Sequence, residues 1–286
     1  MDRHGQEEEG GKGVAQPSEQ LIVANESVTF AVKVAGQGKP VVYLHGAGGL
    51  TWDPFLDELS NHYQVIAPQI PGTGNSSGLE NIRDLWDLVL CYYDLFDGLG
   101  LDSATVIGHS LGGMIALELA ASDQSRVKQI VAIAPTGLFK DEEPVPDLFA
   151  MLPDEVANIM VADTASPVAE MLRYMPRETE KRIEATIQRM QNMQAAAKFL
   201  WPIPDKGLGR RMHRIKAPTL LIWGQQDRFI PVSYAEDFCR GIIRSELVVI
   251  DQAAHLVTLE QTEQVLEAVK GFVGAYQDDA YGRVNG

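Results

Sequence analysis

The chain has 286 residues, and 24 Lys and Arg against 39 Asp and Glu leave a formal charge of −15. That balance argues against nucleic acid as a partner, because phosphate binding needs clustered cations. With 45% apolar and 22% charged residues the composition is globular, and two cysteines, Cys91 and Cys239, are too few for a disulfide framework and lie in no metal-ligand spacing.

In chain order, residues 1–17 are rich in Gly and Glu, with hardly any bulky apolar side chain to offset the entropy of ordering, and are expected to form a loose tail. The stretch lacks the apolar run of a secretory signal, and nowhere do about 18 apolar residues follow one another, so no membrane association and a cytoplasmic location are expected. Strands are predicted at 20–24, 28–35, 41–44, 64–67, 104–107, 127–134, 219–223 and 246–250. The first two, joined by Asn25 and Glu26, should make an antiparallel hairpin at one edge. Later runs such as VVYL, ATVI, TLLIW and LVVI are continuously apolar, as strands covered on both faces must be. Helical spacing falls at 53–62, 79–98, 111–122, 232–243 and 259–275, so strands and helices alternate as in a parallel α/β sheet.

One connection is too long for a crossover. Between the strands ending near 134 and starting near 219 lie roughly 80 residues where a dozen or so suffice. Its helical, Met-rich and Pro-punctuated sequence predicts a cap of several short helices. The expected organisation is therefore a core of residues 18–135 and 217–277, a cap or lid over 136–216, and a flexible end over 278–286. Cap side chains such as Phe149, Met151, Met160 and Met193, with Trp52 from the core, form a pool for lining an acyl or aryl pocket.

The chemistry centres on Gly108-His109-Ser110-Leu111-Gly112, between the apolar strand ATVI and the helical run LGGMIALELAA. A serine on so sharp a strand-to-helix turn needs small neighbours, and its hydroxyl stands exposed at a helix N-terminus that favours negative charge. A serine hydroxyl needs a general base, itself oriented by a third group. Of six histidines, His4 lies in the tail, His62 at a polar helix end and His213 in a basic stretch, while the His109 ring is expected to point away from the serine. His255 remains, in the loop DQAAH after the last strand, where ligands gather in open α/β sheets. Asp227, just past TLLIW, is the candidate acid, and Asp251, directly on a strand end, is its competitor. The Gly-rich run His45-Gly46-Ala47-Gly48-Gly49 after VVYL can aim amides at a reacting carbonyl. The amides of Ala47 and Leu111 are the candidate oxyanion hole.

HGAGG, GHSLGG, WGQQD near Ile230-Pro231 and the late AAH together resemble the α/β-hydrolase family in its capped variety, over residues 20–276. The order Ser110, Asp227, His255 is that of this fold. The resemblance implies a mostly parallel eight-stranded sheet, a Ser-His-Asp triad, and neither cofactor nor metal. The segment from Pro68 to Ser76 is similar to a family loop that usually has aspartate where Gln69 stands. Serine at the elbow sets the chain apart from relatives that use aspartate there, the haloalkane dehalogenases and epoxide hydrolases, and from the dienelactone hydrolases, which use cysteine. The expected activity is hydrolysis of a small carboxylic ester or lactone with an apolar part. Hydrolysis of a carbon–carbon bond in a vinylogous diketone is the alternative, a cofactor-free lyase is less favoured, and a slow-turnover receptor on the same fold is a further class.

Overall fold

The computed structural model describes residues 16–203 and 205–282, with side chains as far as 276. The stretch 1–15, most of the expected tail, and residues 283–286 lie outside the described residues. Eight strands form one sheet: β1 (Ser18–Asn25), β2 (Val28–Ala35), β3 (Pro40–Leu44), β4 (Gln64–Pro68), β5 (Ala104–His109), β6 (Val127–Ile133), β7 (Thr219–Gly224) and β8 (Ser245–Ile250). Their spatial order is β1-β2-β4-β3-β5-β6-β7-β8. The β1-β2 hairpin and the β2-β4 pair are antiparallel, and every pair from β4 to β8 is parallel.

Alternation along each strand divides the core in two. In β3, Val42 and Leu44 face one cluster while Val41 and Tyr43 face the other; in β7, Leu221 and Trp223 oppose Leu220 and Ile222 in the same way. The first face is covered by α2 (Leu85–Gly98), α3 (Leu111–Ser122) and α7 (Ser233–Gly241), and the second by α1 (Pro54–Ser60) and α9 (Thr262–Gly282). Because both faces are covered, α3 sits between sheet and overlying chain with eleven buried residues, which is why its sequence is apolar all round.

Three helical expectations change. The stretch 79–98 is a short 3-10 turn followed by α2, because Asp84 caps α2 by accepting from the Asp87 amide. A short helix, α8 (Val257–Glu260), precedes α9 and is separated from it at Gln261. The terminal helix α9 runs to Gly282, through the first residues of the stretch expected to be flexible.

The long connection between β6 and β7 holds α4 (Pro153–Met160), α5 (Pro167–Arg173) and α6 (Thr179–Leu200), then two 3-10 turns. The expectation of short helices throughout fails at α6, whose 22 residues make it the longest of the three. Pro176 and Pro202 bracket this helix instead of interrupting it, so they act as punctuation at its ends. The 3-10 turns return to the core face, where Arg211 forms a bidentate pair with the buried Glu118 of α3 at 2.6 and 2.8 Å.

Candidate active site

Parallel pairing brings the C-terminal ends of β3, β5, β6, β7 and β8 to one edge of the sheet, and every candidate residue follows one of those ends. Ser110 joins β5 to α3 with φ 55° and ψ −115°, a conformation rare for a residue with a side chain. The turn is as tight as the glycines imply: a Cβ at Gly112 would stand 2.0 Å from the Leu44 carbonyl oxygen. The Ser110 amide donates to the Ile133 carbonyl at 2.9 Å, and the Ser110 carbonyl accepts from Met114 and Thr136. The strained residue is thereby fixed from the end of β6, from α3 and from the segment that follows β6.

Asp227 and His255 lie in the turns after β7 and β8, both buried. His255 Nδ1 is 2.8 Å from Asp227 Oδ2. A carboxylate oxygen accepts, so Nδ1 carries the proton and Nε2 keeps its lone pair. The other carboxylate oxygen of Asp227 accepts from the amides of Phe229 and Ile230 at 2.9 and 2.8 Å, which fixes the acid in its rotamer. Asp251 stands exposed past the end of β8, and the carboxylate bonded to His255 is that of Asp227.

Leu111 is the first residue of α3, so its amide is among the first-turn donors that a helix leaves without an internal partner. Ala47 lies in the turn after β3, closed by a Gly49 amide to Gly46 carbonyl bond at 3.2 Å. The adjoining His45 is buried, with Nδ1 donating to the Gly46 carbonyl at 2.7 Å and Nε2 accepting from the Ile70 amide at 3.0 Å. Both ring nitrogens thus hold backbone, and the loop around Ala47 is tied to the next loop of the same edge. Gln69, in the place of the usual aspartate, accepts from the Asn75 amide at 3.0 Å and keeps that next loop closed.

Three side chains outside the sequence-based set also shape the site. The His109 ring lies 4.9 Å from the His255 ring, centroid to centroid, and its Nε2 donates to the His255 carbonyl at 2.8 Å. Asn192 of α6 is buried and donates to the Gly48 carbonyl at 2.7 Å. Gly49 leaves room for it, since a Cβ there would stand 2.3 Å from the Asn192 amide nitrogen. Glu260 accepts from the Ala162 and Ala254 amides, both at 2.7 Å, and so bridges the long connection to the His255 loop.

Residues 158–162 form a clasp with the two catalytic-candidate turns. Arg228 donates to the Asn158 and Val161 carbonyls, and the Leu256 amide donates to Met160 at 3.0 Å. The connection is anchored to the acid and histidine loops on one side and to the glycine loop, through Asn192, on the other.

Burial sets the charge of the two structural histidines. It pushes His45 down to about 4 and His109 down to about 3, the latter helped by the neighbouring His255. Both are neutral in the folded chain at neutral pH, whereas an unfolded histidine takes its proton near 6.5. Their contribution to stability is therefore complete above about pH 6.5 and is lost as pH falls toward the folded values. Asp53, the N-cap of α1, acts in the opposite sense, because burial raises its carboxyl to about 6. Comparison with a variant isolates the histidine part: between pH 6.5 and 5, parent protein is expected to lose up to about 1.4 kcal/mol per pH unit more than His109→Gln. Denaturant unfolding at several pH values measures this, and parallel slopes would contradict it.

Beside the elbow lies a narrow cavity of about 30 Å³, lined by Met114 and Thr136, which hold the Ser110 carbonyl, and by Phe229 and Ile230, which hold Asp227. Phe149 forms part of its wall, while Met171, Met175 and Met190 of the long connection face solvent. Trp52 packs at the rim of the second core cluster. Among the described residues no group of three or more His, Cys, Asp or Glu is placed to hold a metal, and no helix is long and apolar enough to cross a membrane.

Comparison with known proteins agrees with this geometry at the level of the fold. A 2-hydroxy-6-oxo-6-phenylhexa-2,4-dienoate hydrolase of Comamonas testosteroni is 29% identical over 263 residues, covering 80% of this chain and 86% of its own. A 2-hydroxy-6-oxononadienedioate/2-hydroxy-6-oxononatrienedioate hydrolase of Paraburkholderia phymatum is 28% identical, covering 84% and 88%. Among solved structures, a meta-cleavage product hydrolase of Pseudomonas fluorescens superposes with a TM-score of 0.76 at 24% identity, covering 91% of this chain and 98% of its own. The model of the alpha/beta hydrolase fold matches residues 39–262, from the start of β3 to the start of α9, and so takes in the glycine loop, the elbow and both later turns. With that match over most of its length, and with the eight-stranded sheet behind it, the chain belongs to the α/β-hydrolase family.

Proposed function

We propose that the protein is a serine hydrolase that cleaves the carbon–carbon bond of a vinylogous diketone acid, a reading supported by its similarity to relatives named as hydrolases of 2-hydroxy-6-oxo-dienoates. Ser110 is the nucleophile, His255 the general base, Asp227 the acid that orients it, and the amides of Ala47 and Leu111 the oxyanion donors. The observation that carries hydrolysis is the His255–Asp227 bond of 2.8 Å, which leaves Nε2 basic, at the same sheet edge as the strained Ser110. The choice of bond rests on the two dienoate-type relatives described above, each matching across most of the chain.

In this reading the Ser110 oxygen bonds to the carbonyl carbon while its proton passes to His255 Nε2. The oxyanion so formed accepts from the two amides. Collapse breaks the carbon–carbon bond, whose electron pair leaves delocalised through the conjugated carbonyl system and takes the proton from His255. Water, deprotonated by the same nitrogen, then releases the acid from the serine. No step calls for a cofactor. Residues 136–216 act as the cap, clasped to the core at 158–162 and at Asn192, and exclude water from the reacting carbonyl.

Ester cleavage is the second reading, favoured by the apolar lining of the cavity, which suits an acyl or aryl group. The two are separated by assaying 2-hydroxy-6-oxo-6-phenylhexa-2,4-dienoate, by loss of its dienolate absorbance, beside p-nitrophenyl esters of graded chain length. A kcat/KM for the dienoate at least about ten-fold above the best ester is expected, a difference of roughly 1.4 kcal/mol in transition-state binding. Efficient ester turnover with an inert dienoate would make the second reading the correct one.

A further inference from the structure

The cavity beside the elbow is apolar except at two places. One is Thr136, 7% exposed, whose hydroxyl oxygen is buried there without a hydrogen-bond partner among the described residues. The other is Lys206, the one cation in the lining. Surrounding cations are engaged: Arg211 with Glu118, Lys140 with Asp237, Lys198 with the Leu79 carbonyl and Arg228 with backbone carbonyls. Lys206 has no carboxylate partner among the described residues, and desolvation alone shifts its ammonium, downward.

Its backbone is nonetheless held in place. Arg211, locked onto Glu118 of α3, also donates to the Lys206 carbonyl at 3.0 Å, and Asp205 accepts from the Gly207 amide at 2.6 Å. A cation without a carboxylate partner among the described residues, on the wall of a cavity that also contains an unsatisfied hydroxyl, lacks an anionic acceptor that can also bond to a hydroxyl. The space there open to a water-sized group, about 30 Å³, admits such a head group.

We propose that Lys206 and Thr136 form a subsite for a carboxylate carried by the substrate, so that the enzyme selects acyl substrates with a distal carboxylate over neutral ones of equal length. This rests on Ser110 as the nucleophile, since the hydroxyl and the cation matter to turnover only if the cavity adjoins the reacting carbonyl. The sign of the selectivity is diagnostic. A chain with a formal charge of −15 repels anions in general, so a preference for them requires a local cation.

The test compares kcat/KM for mono-p-nitrophenyl adipate and p-nitrophenyl hexanoate, in parent protein, Lys206→Met and Lys206→Arg. The expected ratio of acid-tailed to neutral ester is at least about ten in the parent, consistent with one charge-assisted contact. It falls to about one or below in Lys206→Met and recovers in Lys206→Arg. A parent ratio of one or less overturns the proposal without any variant. A Lys206→Met protein in which both esters lose activity alike, leaving the ratio unchanged, overturns it as well, because that is the effect of a merely structural lysine. Calorimetric binding of adipate against hexanoate to Ser110→Ala requires no turnover, so tighter adipate binding there supports the subsite even if that variant keeps its activity and the nucleophile assignment fails. Equal binding overturns the subsite alone.

Discussion

Ser110→Ala is expected to lower kcat on the order of 10⁶-fold while leaving the thermal transition close to that of the parent, by analogy with other serine triads. The expected size comes from the geometry. The serine is forced to φ 55° by a turn so tight that Gly112 lies against the Leu44 carbonyl, and such strain persists only where the surrounding structure holds it. Alanine at the same place relieves none of that constraint and removes only the oxygen that the proposed reaction uses. His255→Ala should lose a similar amount, since the two groups act as a unit. Rate constants from purified variants, with circular dichroism to verify folding, decide the matter. Activity within ten-fold of the parent in a folded Ser110→Ala protein would remove Ser110 from the role.

Asp227→Asn is expected to cost roughly 10⁴-fold in kcat, and Asp251→Asn little. In the parent, Asp227 accepts from His255 Nδ1 and from two backbone amides. An asparagine amide in that place presents a donor to Nδ1 and favours the tautomer in which Nε2 carries the proton and is no longer a base. Asp251 is exposed at the end of β8 and has no part in that chain of bonds. Equal losses from the two variants, or the reverse order, would reassign the acid. The same pair of variants tests the clasp indirectly: Arg228, next to Asp227, holds residues 158–161, so a displaced acid loop would raise KM as well as lower kcat.

Sequence alone located the sheet closely because its strands are short, continuously apolar runs with no competing helical period. Observed bounds differ from expected ones by a residue or two at most of the ends. It also put Ser110, Asp227 and His255 just past strand ends, positions that share one edge in a parallel sheet, whichever strands carry them. The helix ends were less legible. The cap at Asp84 and the break at Gln261 interrupt patterns whose apolar spacing runs straight through them.

What sequence could not supply were the supports that act across long separations. His109 is 146 residues from the carbonyl it holds, and Asn192 is 144 from its partner at Gly48. Neither separation leaves a periodic signal. Within the glycine run after β3 it is Gly49 that marks a close approach, and the approaching group is the Asn192 amide. Lys206 was hidden for the same reason: its neighbours at the cavity come from α3, from the segments after β6 and α6 and from the turn after β7.

The central claim, that Ser110 is activated by His255 at this sheet edge, is tested most directly by covalent labelling. Parent protein is incubated with an alkyl p-nitrophenyl phosphonate, and the modified residue is located by mass spectrometry of peptides. One phosphonyl group per chain on the peptide containing Ser110, with labelling abolished in Ser110→Ala and slowed by several orders of magnitude in His255→Ala, is the expected result. An unlabelled parent protein, label on another residue, or equally fast labelling without His255 would contradict the account.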